Sequence, residues 1–130
     1  VDVSQSVSQS DWECLKGEGF EFAIVRAYQS TGRVDPNAAS TIINARNAGI
    51  EYVDAYLFPC SSCGNGAQQV KDTYDALNSA GAQYGMFWLD IEGTQYWSSS
   101  TSSNVAFIQD MVDECESLGI NFGIYTSESQ

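Results

Sequence analysis

The sequence predicts an α/β fold, a TIM-like (β/α) barrel of which this chain holds roughly the N-terminal half. Three observations predict it. Apolar strand-like runs alternate with helical segments at intervals of about 25–30 residues, the pattern of repeated βαβ units and a parallel sheet. Polar and aromatic residues (Asp2, Tyr56, Asp90, Glu92 and Tyr125) recur at or near the C-terminal ends of those runs, where a (β/α) barrel gathers its site. A doubly wound open sheet is the main alternative, but no G-x-G-x-x-G follows the first strand and there is no phosphate loop.

Val1-Asp2-Val3-Ser4 reads as a short first strand. A helix follows from Ser10, the candidate N-cap, to Lys16, and Gly17 and Gly19 end it. Phe20 to Tyr28 is rich in β-preferring residues. Asp35-Pro36 opens the next helix with proline at its first position; Ile42, Ile43, Ala45 and Ala48 form its apolar stripe, and Gly49 stops it. Ile50 to Phe58 is a third strand ended by Pro59. Gly66 to Ala80 is a third helix, with Val70, Tyr74 and Leu77 at helical spacing. Tyr84 to Gly93 is the fourth strand. The serine-rich run from Ser98 to Asn104 caps a helix from Val105 to Leu118, whose Ile108, Met111, Val112 and Cys115 make a core-facing stripe. Gly119 stops that helix, and Ile120 to Tyr125 is a fifth strand.

A complete barrel needs about 200 or more residues, and this chain supplies roughly four and a half units. An open half-barrel would expose apolar strand edges. The expectation is therefore one domain over residues 1–130, incomplete at its C-terminus. The start at Val1 without methionine is what a processed mature chain would show.

Five basic residues against seventeen acidic give a net charge of −12. No basic patch is available to neutralise phosphates, which argues against nucleic acid and against anionic membrane as partners. No apolar run reaches the ~18 residues a transmembrane helix needs. The dispersed acids read as a soluble, self-repelling surface, or more sharply as adaptation to an acidic compartment. Histidine is absent. That excludes a Ser-His-Asp triad, a Cys-His pair and histidine zinc sites within this chain, and leaves carboxylates to carry any acid–base chemistry. The expected site accordingly uses no metal and no cofactor.

Four cysteines, Cys14, Cys60, Cys63 and Cys115, fit a disulfide-containing protein of an oxidising compartment. Cys60-Ser-Ser-Cys63 is close enough for a local bridge; a redox-active C-x-x-C lacks its thioredoxin context, and zinc would need a second close pair. Cys14 with Cys115 is a possible second bridge, and partners outside this chain are the alternative.

The stretch that concentrates chemistry is Trp88-Leu89-Asp90-Ile91-Glu92. Read as a strand, it places Trp88, Asp90 and Glu92 on one side, with the acidic Cα atoms roughly 6.5–7 Å apart. Two carboxylates at the end of an apolar strand suit glycosidic-bond cleavage: one donates a proton to the leaving oxygen, the other stabilises developing positive charge or orients a neighbouring group. A D-x-E pair can equally be a solvated edge or a metal-ligand pair. Trp88, Tyr56 and Tyr125 add aromatic surfaces that can pack against sugar faces.

These segments also carry a resemblance. Val1-Asp2-Val3-Ser4, Asp35-Pro36-Asn37, Ala55-Tyr56-Leu57-Phe58, Trp88 to Glu92 and Ile124-Tyr125-Thr126-Ser127 occur in an order and at distances that resemble glycoside hydrolase family 25, the Chalaropsis-type lysozymes, most closely their protist and nematode branch. The resemblance implies a glycoside hydrolase catalytic domain and a muramidase that cuts the β-1,4 bond between N-acetylmuramic acid and N-acetylglucosamine in peptidoglycan, in bacterial digestion or antibacterial defence. It implies Glu92 as general acid, Asp90 as the assisting carboxylate that orients the substrate's N-acetyl group, and Asp2 as an acidic residue lining the cleft. Tyr56 and Tyr125 match aromatic cleft positions. A secreted location, or a lysosomal or phagosomal lumen, is the corresponding expectation. A further family aspartate from a later strand has no counterpart here. Arg26-Ala27-Tyr28-Gln29 stands where the second strand commonly carries a Lys-Ala-Thr-Glu-like run. A chitinase-like D-x-x-D-x-D-x-E reading fails, because Trp88 and Gly85 occupy its earlier acidic positions. A sugar-binding barrel without turnover is the non-enzymatic alternative.

Overall fold

The structure is a computed structural model and describes residues 1–128. Its parallel strands are β1 (Asp2–Val3), β2 (Phe22–Gln29), β4 (Tyr52–Leu57), β5 (Phe87–Asp90) and β6 (Phe122–Tyr125), joined through helices α1 (Gln9–Gly17), α2 (Ala38–Asn47), α3 (Gly66–Ser79) and α4 (Thr101–Leu118). The two-residue β3 (Arg33–Val34) turns back antiparallel onto β2. In the sheet the parallel strands follow one another in chain order, β1-β2-β4-β5-β6. This one-way winding belongs to a (β/α) barrel; a doubly wound sheet reverses its strand order at a switch point.

Strand alternation divides the sheet into two faces. Ala23, Val25 and Ala27 of β2, Val53, Ala55 and Leu57 of β4, and Phe87 and Leu89 of β5 are buried in one core with Trp12, Ile42, Val70, Leu77 and Met111 of the helices. The intervening residues, among them Ile24, Tyr56, Trp88 and Asp90, line the opposite face. Each expected strand and helix exists, but several ends differ for local reasons. Helix α1 begins two residues earlier than expected because Ser8, and not Ser10, is its N-cap: the Ser8 hydroxyl accepts from Asp11 N–H at 3.1 Å. Pro36 does not open α2. The buried Asp35 carboxylate accepts the Asn37 N–H at 3.0 Å in an Asx-type turn, and the helix starts at Ala38. Helix α4 reaches back to Thr101, with Ser100 as cap accepting from Ser103 N–H.

Cys60 and Cys63 are bonded, as their spacing suggested. The proposed Cys14–Cys115 bridge is absent: Cys14 is exposed on α1, Cys115 is buried on α4, and both are free thiols. Among the described residues, no helix is long and apolar enough to cross a membrane.

Candidate active site

All six residues singled out from the sequence meet in one cleft. Asp2, Tyr56, Trp88, Asp90, Glu92 and Tyr125 line a cavity of about 360 Å³ at the C-terminal ends of the strands, and Ile24 completes the lining. A larger groove of about 850 Å³ lies between the disulfide loop and α4, but Asp110 is its one carboxyl, so no acid pair can form there. The register explains the convergence: Tyr56 pairs with Trp88 across β4–β5, and Asp90 pairs with Tyr125 across β5–β6. Asp2 enters from the far edge, where it pairs with Ile24.

One strand boundary is corrected. Glu92 is not on the strand, because β5 ends at Asp90. The ladder closes with Ile91 N–H donating to the Tyr125 carbonyl at 2.8 Å, and Gly93 then turns the chain at φ 76° into a 3-10 turn over Thr94–Tyr96. The alternation nevertheless carries on past the strand end: Leu89 and Ile91 lie in the core, while Trp88, Asp90 and Glu92 face the cleft together, as expected. The side chains of Asp90 and Glu92 are close enough to share a proton.

The two carboxyls sit in different surroundings. Asp90 is 7% exposed, and its Oδ1 is a buried acceptor with no hydrogen-bond partner among the described residues. Glu92 is half-buried. Burial foremost, then the hydrogen bond to Glu92 and the charges of Glu92 and Asp2, push the Asp90 carboxyl up to about 7. Below about 7 the Asp90 carboxyl therefore keeps its proton. The Tyr56 phenol is pushed up to about 12, by burial foremost, with Arg26 opposing and Asp90, Asp2 and Asp35 adding to the rise. It remains a hydrogen-bond donor across the working range.

Sequence reasoning missed several supports of this site. Arg26 donates to Asp35 Oδ2 through Nε and to the Ser4 carbonyl through a guanidinium nitrogen, both at 3.0 Å, and so ties β2 to the loop after β1. Asp54, buried on β4, accepts the Trp88 indole N–H at 3.0 Å. Gly123 lies against the Trp88 ring, where a Cβ would come within 2.6 Å of it. A glycine inside a predicted strand is the signal that could have exposed this close approach. Among the described residues, no cluster of three or more His, Cys, Asp or Glu side chains could hold a metal ion.

The fold and the cleft define a (β/α)-barrel protein with two neighbouring carboxyls at the end of a strand, the class to which glycosidases of this architecture belong. A family model described as lysozyme-like protein 1 matches residues 1–130. The chain is 52% identical to a Dictyostelium discoideum protein named probable GH family 25 lysozyme 2, covering 100% of this chain and 61% of that protein. It is 43% identical to lysozyme-like protein 5 of Caenorhabditis elegans, covering 98% of this chain and 60% of that one. The chain belongs to the lysozyme-like protein 1 family, among the GH family 25 lysozymes.

Solved structures extend the likeness of fold. The modular autolysin LytC of Streptococcus pneumoniae, solved with a synthetic peptidoglycan ligand, aligns with TM-score 0.76 at 19% identity over 98% of this chain and 32% of that one. The catalytic domain of a Listeria phage endolysin, ply40, aligns with TM-score 0.64 at 17% identity over 98% of this chain and 63% of that one. This chain spans about three-fifths of the length of these two relatives from Dictyostelium and Caenorhabditis, 61% and 60%.

Proposed function

We propose that the protein is a secreted or lysosomal/phagosomal muramidase, with residues 1–130 forming the N-terminal part of a single catalytic domain. It hydrolyses the β-1,4 bond between N-acetylmuramic acid and N-acetylglucosamine in bacterial peptidoglycan. The observation that carries this reading is the placing of Asp90 and Glu92 side by side at the end of β5, in a cleft that Tyr56, Trp88 and Tyr125 also line.

The pair supplies the acid. Asp90 is held protonated by burial, and the hydrogen bond passes that proton to Glu92, the member less enclosed by protein. Glu92 donates to the glycosidic oxygen as the bond to the anomeric carbon breaks. Positive charge grows on the sugar as that bond breaks, and the carboxylates of the cleft, Asp2 among them, stabilise it; a water then adds its oxygen to the anomeric carbon and returns a proton to the carboxyl pair. Asp90, deprotonated by the transfer to Glu92, orients the N-acetyl group of the substrate. The aromatic walls pack against sugar faces and fix the chain across the pair.

Release of reducing ends from purified peptidoglycan tests the proposal. The wild-type protein releases them, and Glu92→Gln loses this activity by about three orders of magnitude or more while still binding the polymer. Binding without release by the wild type would establish a sugar-binding barrel instead.

A further inference from the structure

We infer that Asp54 is a positioning residue for glycan binding: it fixes the rotation of the Trp88 indole, which lies against the bare backbone of Gly123 and forms the floor of the cleft. The inference deepens the muramidase reading and rests on it. Trp88 stands on β5 between Tyr56 of β4 and Gly123 of β6, in register with both. Its indole has one polar atom, so whatever accepts that N–H decides which way the ring faces.

Asp54 is that acceptor. It lies two residues before Tyr56 on the same face of β4 and is 7% exposed. Its oxygens are separately committed: Oδ1 accepts the Met86 main-chain N–H at 2.8 Å, and Oδ2 accepts Trp88 Nε1 at 3.0 Å. The carboxylate cannot rotate without losing one donor. Aspartate suits the position because both of its oxygens accept. Asparagine would turn an NH₂ toward one of two N–H groups in a buried place. On the opposite side of the ring, a Cβ on Gly123 would lie 2.6 Å from Cζ3. The indole is therefore held from its edge by a carboxylate and from its face by backbone, while it borders the cleft that Asp90 and Glu92 also line. A sugar stacking on that ring meets a surface already in place, and binding does not have to order it.

The test is a double-mutant cycle in the whole protein that contains this chain, using a soluble peptidoglycan digest as probe. Kd is read by tryptophan fluorescence, or by calorimetry where Trp88 is replaced, and KM and kcat by reducing ends. Asp54→Asn should raise Kd and KM about tenfold, with kcat changed less than about twofold, because stacking is uniform binding. It should also alter the near-ultraviolet circular dichroism of the Trp88 ring. Trp88→Phe should raise Kd similarly, and Asp54→Asn should add almost nothing in the Trp88→Phe background.

Independent, additive effects would overturn the inference, as would an Asp54→Asn that lowers Tm and leaves Kd unchanged. If Asp54→Asn does not fold, Gly123→Ala crowds the ring from its other face and serves the same cycle. Its penalty on Kd should vanish with Trp88→Phe, and a penalty that persists overturns the inference. Turnover by the wild type without coupling sinks this inference alone. Binding without turnover sinks the muramidase reading, and the cycle in Kd still decides the role of Asp54. A wild type that neither binds nor cleaves the digest overturns both.

Discussion

Trp97 donates its indole N–H to the main-chain carbonyl of Glu92 at 3.3 Å, and its ring meets Phe107 of α4 edge-on with centroids 5.7 Å apart. The turn that carries the candidate acid is thereby fastened to the helix that follows it. Trp97→Phe keeps a ring against Phe107 and removes the hydrogen bond. We expect a stability loss of about 1 kcal/mol and a several-fold fall in kcat. Thermal melts and steady-state kinetics on peptidoglycan check it, and an unchanged kcat would show that Glu92 does not depend on this tether.

The Asp90 carboxyl fixes the sign of the pH response. Its folded value of about 7 lies above its ordinary 3.8, so between those limits the folded chain binds more protons than the unfolded one. The stabilising contribution of the proton is complete below about 4 and is lost as pH rises through 7. Wild-type Tm should therefore fall on going from pH 5 to pH 8 relative to Asp90→Asn, whose carboxamide does not titrate; the difference corresponds to a few kcal/mol. Activity should fall as pH rises through about 7, because Asp90 then loses its proton. Activity that stays flat to pH ~8 would remove the pair from the proton-donating role.

The disulfide closes a loop whose cysteines are 3 residues apart, and Cys60 is held further by Gln69, which accepts from Cys60 N–H and donates to its carbonyl. Alkylation of the denatured, unreduced protein should label only Cys14 and Cys115 of these four, and labelling after reduction should reach all four. Reduction should cost about 2 kcal/mol by loop entropy. Intact mass and thermal melts measure both, and four labels before reduction would contradict the bridge.

Arg26 and Asp35 form an ion pair at 3.0 Å in which the carboxylate is buried. Arg26→Met leaves that charge without its cation, at a cost of about 2 kcal/mol or more. Adding Asp35→Asn should restore part of the loss, because the uncompensated charge is gone. Denaturant titration of the single and double variants decides the point, and strictly additive losses would show that the pair is not coupled.

Much of this was legible in the sequence because periodicity and strand-end chemistry are local. Phe22–Gln29, Tyr52–Leu57 and Gly66–Ser79 lie within or almost at the spans expected, and Asp2, Tyr56, Trp88, Asp90, Glu92 and Tyr125 do converge. What stayed hidden depends on contacts between distant segments. Asp54 resembles any polar residue in a strand until Met86 and Trp88, more than thirty residues later in the chain, present their N–H groups to it. Strand β3 is two residues long and exists because Arg33 and Val34 meet Gln29 and Tyr28. Asp35-Pro36 carries a helix-start signal, but the Asp35 side chain captures the Asn37 N–H first and delays the helix. Ser8 and Ser10 compete for one cap, and composition alone does not choose between them.

Asp2 and Tyr125 belong to the first and last parallel strands, yet both border the same cleft. Four strand spacings of about 4.8 Å would hold them roughly 19 Å apart in a flat sheet. Their meeting around one cavity is thus a measure of how strongly the sheet coils. The gape of the cleft is set by accumulated strand twist, so a substitution that relaxes the coiling anywhere between β1 and β6 would splay the two walls and loosen the grip on a polymer without touching either acid.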